Sequence, residues 1–139
     1  MKTLYTAVST AQGGRDGHVA SDDRVINMSL DTPEGLGGKG GSGTNPEQLF
    51  SAGYAACFDG ALNLMATQKK IDAGQTEVTA NVSIGKQSDG LGLAVQLDVL
   101  VPGVDQETAE GLVEAAHQFC PYSKATRGNI DVTLNTRTK

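Results

Sequence analysis

Cys57 and Cys120 are the residues of this chain best suited to covalent chemistry, and they are its two cysteines among 139 residues. Cys57 lies in a small, apolar run, Ala55-Ala56-Cys57-Phe58, and Cys120 stands where an amphipathic pattern stops at Pro121. Brought together by the fold, they form a dithiol that can be oxidised and reduced. Kept apart, they are two small buried hydrophobes. A thiol attacks as its thiolate, and a nearby cation or dipole holds it in that form. Arg15, between glycines in Gly14-Arg15-Asp16-Gly17, could be that cation, or it could be a solvated hairpin arginine. Glu47 could orient the guanidinium through a bidentate pair, or serve only as the acidic partner of a helix N-terminus. Composition and spacing do not choose between these readings.

Other chemistries fit the residues less well. The run Lys39-Gly40-Gly41-Ser42-Gly43-Thr44 precedes a helix start, as a phosphate-binding loop would. Such a loop needs a lysine directly before the Ser/Thr, and Gly43 holds that place. A flexible connector is the better reading. His18, His117, Cys57 and Cys120 lack the paired spacing of a zinc site, so surface or satisfied histidines and no metal are expected. The net charge is −5 and the basic residues do not cluster, which argues against a nucleic-acid partner. No apolar run reaches the roughly 18 residues of a membrane span. Met1-Lys2-Thr3-Leu4-Tyr5 lacks an apolar targeting core, so a cytoplasmic protein is expected. There ordinary thiols stay reduced, and a cysteine pair that does oxidise is more often catalytic than structural.

The elements that must position these residues follow from pattern. Residues 3–10, 19–21 and 25–30 read as a three-stranded antiparallel meander. A glycine-rich loop over 33–45 ends in a helix start, with Asn45 as cap, Pro46 in the first position and Glu47 in the first turn. The helix runs to about Lys70 and is apolar or small on nearly every side, which predicts burial all round. Gly53, Ala56 and Gly60 offer a small-residue face for a second helix. Residues 77–86 and 91–101 read as a hairpin about Gln87-Ser88-Asp89-Gly90. Asp105 caps a helix to Phe119 whose apolar stripe is Ala109, Leu112, Val113, Ala116 and Phe119, and a last strand covers 130–136. The chain of 139 residues reads as one α+β domain.

Four blocks together resemble the organic hydroperoxide resistance branch of the Ohr/OsmC family. They are Gly14-Arg15-Asp16-Gly17, Gly43-Thr44-Asn45-Pro46-Glu47-Gln48-Leu49-Phe50, Ala52-Gly53-Tyr54-Ala55-Ala56-Cys57-Phe58 and the segment from Cys120-Pro121-Tyr122 to Arg127-Gly128-Asn129. The likeness runs from first strand to last, with Ser51 a minor departure from an expected alanine. It implies an OsmC-like fold, with antiparallel sheets packed around a long central buried helix in an intertwined homodimer. It implies a cysteine peroxidase that reduces alkyl and fatty-acid hydroperoxides to alcohols without metal, haem or other cofactor. Cys57 is then the peroxidatic cysteine, Cys120 the resolving one, Arg15 and Glu47 the activating pair, and a dithiol such as a lipoylated protein the reductant. Phe50, Phe58, Leu62 and Met65 are expected to line an apolar substrate pocket.

Helix geometry bears on the assembly. Glu47 and Cys57 are ten residues apart on one predicted helix, about 15 Å along its axis. Either that helix bends sharply or Glu47 serves Cys57 of a second chain, and a homodimer with shared sites is expected. The rival readings are an OsmC-type osmotically induced peroxidase, and a non-catalytic binder of apolar ligands or redox sensor on the same fold.

Overall fold

The computed structural model describes Met1–Lys139 and divides into two compact units, residues 1–49 and 50–139. No helix is long and apolar enough to cross a membrane.

The first unit holds the expected meander. Strands β1 (Ser9–Gln12), β2 (His18–Ser21) and β3 (Asn27–Ser29) pair antiparallel, with Gln12 opposite His18 and Val19 opposite Met28. They are shorter than their β-rich sequence suggests, and residues 1–8 join no ladder. Between β1 and β2 the chain makes one 3-10 turn, Gly14–Asp16. Gly13 and Gly14 have φ of 80° and 64°, a region that suits glycine. A Cβ on Gly17 would stand 1.8 Å from the Gln12 carbonyl oxygen, so no other residue fits there. The Asp16 carboxylate accepts the Thr32 backbone N–H at 3.0 Å and ties this turn to the chain after β3. The glycine-rich connector is pinned rather than loose. Leu30 bridges Thr44, and the Gly43 N–H donates to the Asp31 carboxylate at 2.6 Å. A carboxylate already occupies the N–H that a phosphate would want.

Helix α1 (Pro46–Gln68) begins as its sequence dictates, with the Gln48 N–H donating to Asn45 Oδ1 at 2.8 Å. It ends with Lys70 left-handed (φ 57°) and the Ile71 N–H returning to the Ala66 carbonyl at 2.9 Å, the hydrogen-bond pattern that closes many helices.

In the second unit, β4 (Glu77–Gln87) and β5 (Gly90–Leu100) form the expected hairpin, with Gln87 opposite Gly90. Helix α2 (Gln106–Phe119) is capped by Asp105, whose carboxylate accepts the Thr108 N–H at 2.8 Å. Strand β6 (Asp131–Arg137) completes the sheet β4-β5-β6. The all-antiparallel expectation needs correction here, because β6 runs parallel to β5, with Val95 opposite Val132 and Leu97 opposite Leu134. Parallel neighbours need a crossover, and the helical stretch between Leu100 and Asp131 supplies it. Part of that stretch is a short helix, α3 (Pro121–Thr126), where the sequence pattern ends at Phe119 and assigns no element. Pro121 opens α3 at a position where its missing N–H costs nothing.

The core of this unit joins Tyr54, Phe58, Leu62 and Met65 of α1 to Val95, Leu97 and Val99 of β5 and Leu112, Val113 and Ala116 of α2. Helix α1 is therefore buried on one face and not all round: Ala52, Ala56 and Gly60 are exposed, and Leu64 is 39% exposed. Phe119 leaves the α2 stripe and is 52% exposed. His117 lies buried on that helix instead.

Candidate active site

Cys57 stands midway along α1 and is half-buried, while Cys120 is fully buried where α2 ends and α3 begins. The Cys120 N–H closes α2 on the Ala116 carbonyl at 2.8 Å. Its backbone is extended (φ −61°, ψ 124°), which turns the chain from one helix into the next and aims the side chain at α1. The two sulfurs are 3.4 Å apart and both thiols are free. A disulfide bond measures about 2.05 Å, so closure asks for a shift of little more than an ångström. Residues 63 apart in sequence thus meet as a reduced pair poised to close.

The surroundings of Cys57 in its own unit disfavour the thiolate. Burial pushes its thiol pKa up, the neighbouring Cys120 adds to the rise, and the backbone N–H of Tyr122 partly offsets both. A cation beside Cys57 would act in the opposite sense and favour the thiolate. The Tyr122 ring lies over Gly53, where an added Cβ would stand 2.9 Å from the Tyr122 hydroxyl oxygen. Gly53 therefore makes room for Tyr122, not for a second helix as its spacing suggested. A Cβ on Gly60 would meet nothing within 4 Å.

The first unit contains the other pair. Arg15 Nη1 and Nη2 donate to Glu47 Oε2 and Oε1 at 2.9 and 2.6 Å, a two-bond fork. The Glu47 side chain is 14% exposed and the Arg15 side chain 36%. Hydrogen bonding by the guanidinium lowers the Glu47 carboxyl pKa, and Glu47 raises that of Arg15. Both groups are ionised throughout the neutral range.

The expected pocket is largely core. Phe58 and Leu62 have no exposed surface and Met65 is buried, all packed in the hydrophobic centre because they share the inward face of α1. Phe50 alone of the four is only partly buried, edge-on to Tyr54 and Tyr122 with ring centroids 6.2 and 6.3 Å away.

A buried polar group escaped the sequence reading. The Tyr54 hydroxyl meets Ser123 Oγ at 2.8 Å and Thr126 Oγ1 at 3.0 Å, and Ser123 Oγ meets His117 Nδ1 at 2.9 Å. Burial, helped by the nearby Arg127 charge, lowers the His117 pKa and favours the neutral ring. Arg127 Nη1 donates to the His117 carbonyl at 2.7 Å. A spacing signal was available: Tyr54 precedes Cys57 by three residues and Ser123 follows Cys120 by three, one helical turn in each case.

A family model described as OsmC-like protein matches residues 38–135. The organic hydroperoxide resistance protein of Xanthomonas axonopodis pv. citri is 54% identical over 134 residues, covering 96% of this chain and 94% of that protein. OhrB of Bacillus subtilis is 50% identical over 136 residues, covering 96% and 98%. Among solved structures, an organic hydroperoxide resistance protein from Elizabethkingia anophelis superposes with a TM-score of 0.95 at 54% identity, covering 100% of both chains. With the cysteine pair, the arginine–glutamate fork and these likenesses together, the chain belongs to the OsmC-like family, in its organic hydroperoxide resistance branch.

Proposed function

We propose that this protein is a thiol peroxidase that reduces organic hydroperoxides to alcohols, with Cys57 peroxidatic and Cys120 resolving. The observation that carries this reading is the 3.4 Å approach of two free sulfurs. Cys57 thiolate attacks the distal peroxide oxygen, the O–O bond breaks, and the alkoxide leaves as alcohol after taking a proton. Cys57 is then a sulfenic acid. The Cys120 thiol attacks that sulfur, the S–S bond forms and water leaves, before a second peroxide can carry Cys57 to the irreversible sulfinic acid. A dithiol reductant, such as the lipoyl group of a carrier protein, reopens the disulfide by exchange. Relatives named for organic hydroperoxide resistance support this substrate class. The apolar ring of Phe50 beside Tyr122 supports an alkyl substrate.

Arg15 is the activating cation and Glu47 holds its guanidinium flat in the fork. The pair favours the thiolate and the charge that develops on the peroxide oxygens. It comes from a second copy of the chain. Helix α1 is uninterrupted from Pro46 to Gln68, so Glu47 and Cys57 stand about 15 Å apart along its axis. The exposed small face Ala56 and Gly60 supports close approach of a second helix. So do the uncovered apolar residues of the first unit, Val25 at 84% and Met28 at 42% exposure. A homodimer with two shared sites covers both surfaces.

Steady-state consumption of tert-butyl hydroperoxide with dihydrolipoamide tests the reading. Cys57→Ser abolishes turnover. Cys120→Ser gives one turnover and then over-oxidation of Cys57. Full activity in Cys57→Ser refutes the mechanism, and a wild type that consumes no peroxide points instead to a ligand binder or sensor.

A further inference from the structure

We infer that Tyr54, Ser123, Thr126 and His117 form a buried hydrogen-bonded clamp that holds Cys120 within reach of Cys57 and so sets the rate of disulfide closure. The inference rests on the peroxidase reading above and assigns positioning residues to its second step. Tyr54 lies one turn before Cys57 on the same face of α1, and its hydroxyl reaches Ser123 and Thr126 of α3. Ser123 lies one turn after Cys120, and its hydroxyl also meets His117 of α2. Ser123 is thus the junction of the three helices that carry or flank the two cysteines. All four side chains are buried, Tyr54 and Ser123 completely. Buried polar contacts of this kind hold one arrangement against its neighbours, because any slip leaves a hydroxyl unpaired away from water.

The proton count agrees with a closed chain. Thr126 Oγ1 donates to the Ser123 carbonyl at 3.3 Å. Tyr54 then donates to Thr126, Ser123 to Tyr54, and His117 Nδ1–H to Ser123. Three hydroxyls bring three protons to four contacts, so every contact carries one only when His117 holds its proton on Nδ1. The clamp therefore runs in one direction, from His117 to the carbonyl of Ser123.

The step it serves has a competitor. Cys57 sulfenic acid either condenses with Cys120, releasing water, or meets a second hydroperoxide, which oxidises it to sulfinic acid and leaves as alcohol. A looser α3 slows the first and not the second. The ratio of sulfinic acid to disulfide at a fixed excess of cumene hydroperoxide, read by mass spectrometry of the full-length protein, reports this competition independently of how fast the sulfenic acid forms. In Tyr54→Phe, which keeps the ring and removes two hydrogen bonds, the ratio rises about tenfold, as expected for two bonds of modest net worth. The near-isosteric Thr126→Val raises it by about threefold, and Thr126→Ser restores the wild-type ratio. Ratios within twofold of wild type in both Tyr54→Phe and Thr126→Val overturn the clamp. A wild type that never forms the Cys57–Cys120 disulfide under peroxide overturns the peroxidase reading, and the clamp with it.

Discussion

Thiol acidity is the property on which Cys57 turns. Burial in its own unit raises its pKa above the ordinary thiol value, with a further rise from Cys120, so at pH 7 the thiolate is the minor form. A guanidinium beside it works in the opposite sense and brings ionisation to lower pH. In Arg15→Ala the rate of Cys57 oxidation at pH 7 falls about 100-fold, the order of loss seen when one charge-stabilising donor is removed. The residual rate then climbs with pH beyond the ordinary thiol range, whereas the wild type reaches its plateau at lower pH. Stopped-flow oxidation across a pH series checks this, and identical pH profiles would mean that Arg15 does not tune the thiol. Glu47 sets no limit near neutrality. Its carboxyl is held below the usual range, so the fork is complete above that range and is lost only as pH falls through the lowered value.

Among the elements, the 3-10 turn between β1 and β2 carries the arginine, and backbone geometry makes it. Gly17 is its critical residue, since a methyl there collides with the Gln12 carbonyl and neither group is free to yield. Gly17→Ala rebuilds the turn and separates Arg15 from Glu47. The Glu47 carboxyl pKa, followed by NMR, then returns toward its ordinary value, and an unchanged low value would show that the turn tolerates the side chain. The turn was legible in the sequence as glycines around Arg-Asp, and the α1 start as Asn45-Pro46-Glu47, because both obey local rules. Helix α3 was not, because Pro121 reads equally as a stop and as a first helical residue. The two buried contacts of the Tyr54 hydroxyl with Ser123 and Thr126 accompany the helical choice, and they depend on a residue far away in the chain.

At the scale of the whole molecule, the proposed homodimer sets a second helix against the small face of α1. In one chain Gly60 has empty space where its Cβ would be. Gly60→Ala therefore gains helix propensity, about 1 kcal/mol in a single chain. In the proposed dimer, Gly60→Leu places a bulky side chain where the second helix approaches, and the expected outcome is a monomer in sedimentation experiments. The same proposal expects lower turnover, because the shared site it describes would lose the arginine of the second chain. A Gly60→Leu protein that remains a fully active dimer would remove α1 from the interface. This prediction is separate from the clamp, whose residues lie within one unit.

The sequence by itself determined the local elements and the kinds of residue available for chemistry. Strand alternation, caps, turn glycines and the local settings of Arg15, Glu47, Cys57 and Cys120 are each written within short windows, and four such blocks together carried the family resemblance. Tertiary structure alone decided that Cys57 and Cys120 meet at 3.4 Å, that β6 lies parallel to β5, and that Phe58, Leu62 and Met65 are core. It also decided that Gly53 accommodates Tyr122. Each of these is a contact between distant segments, set by which apolar faces can be buried together and which buried hydroxyls must find partners. No periodicity within one segment encodes that choice.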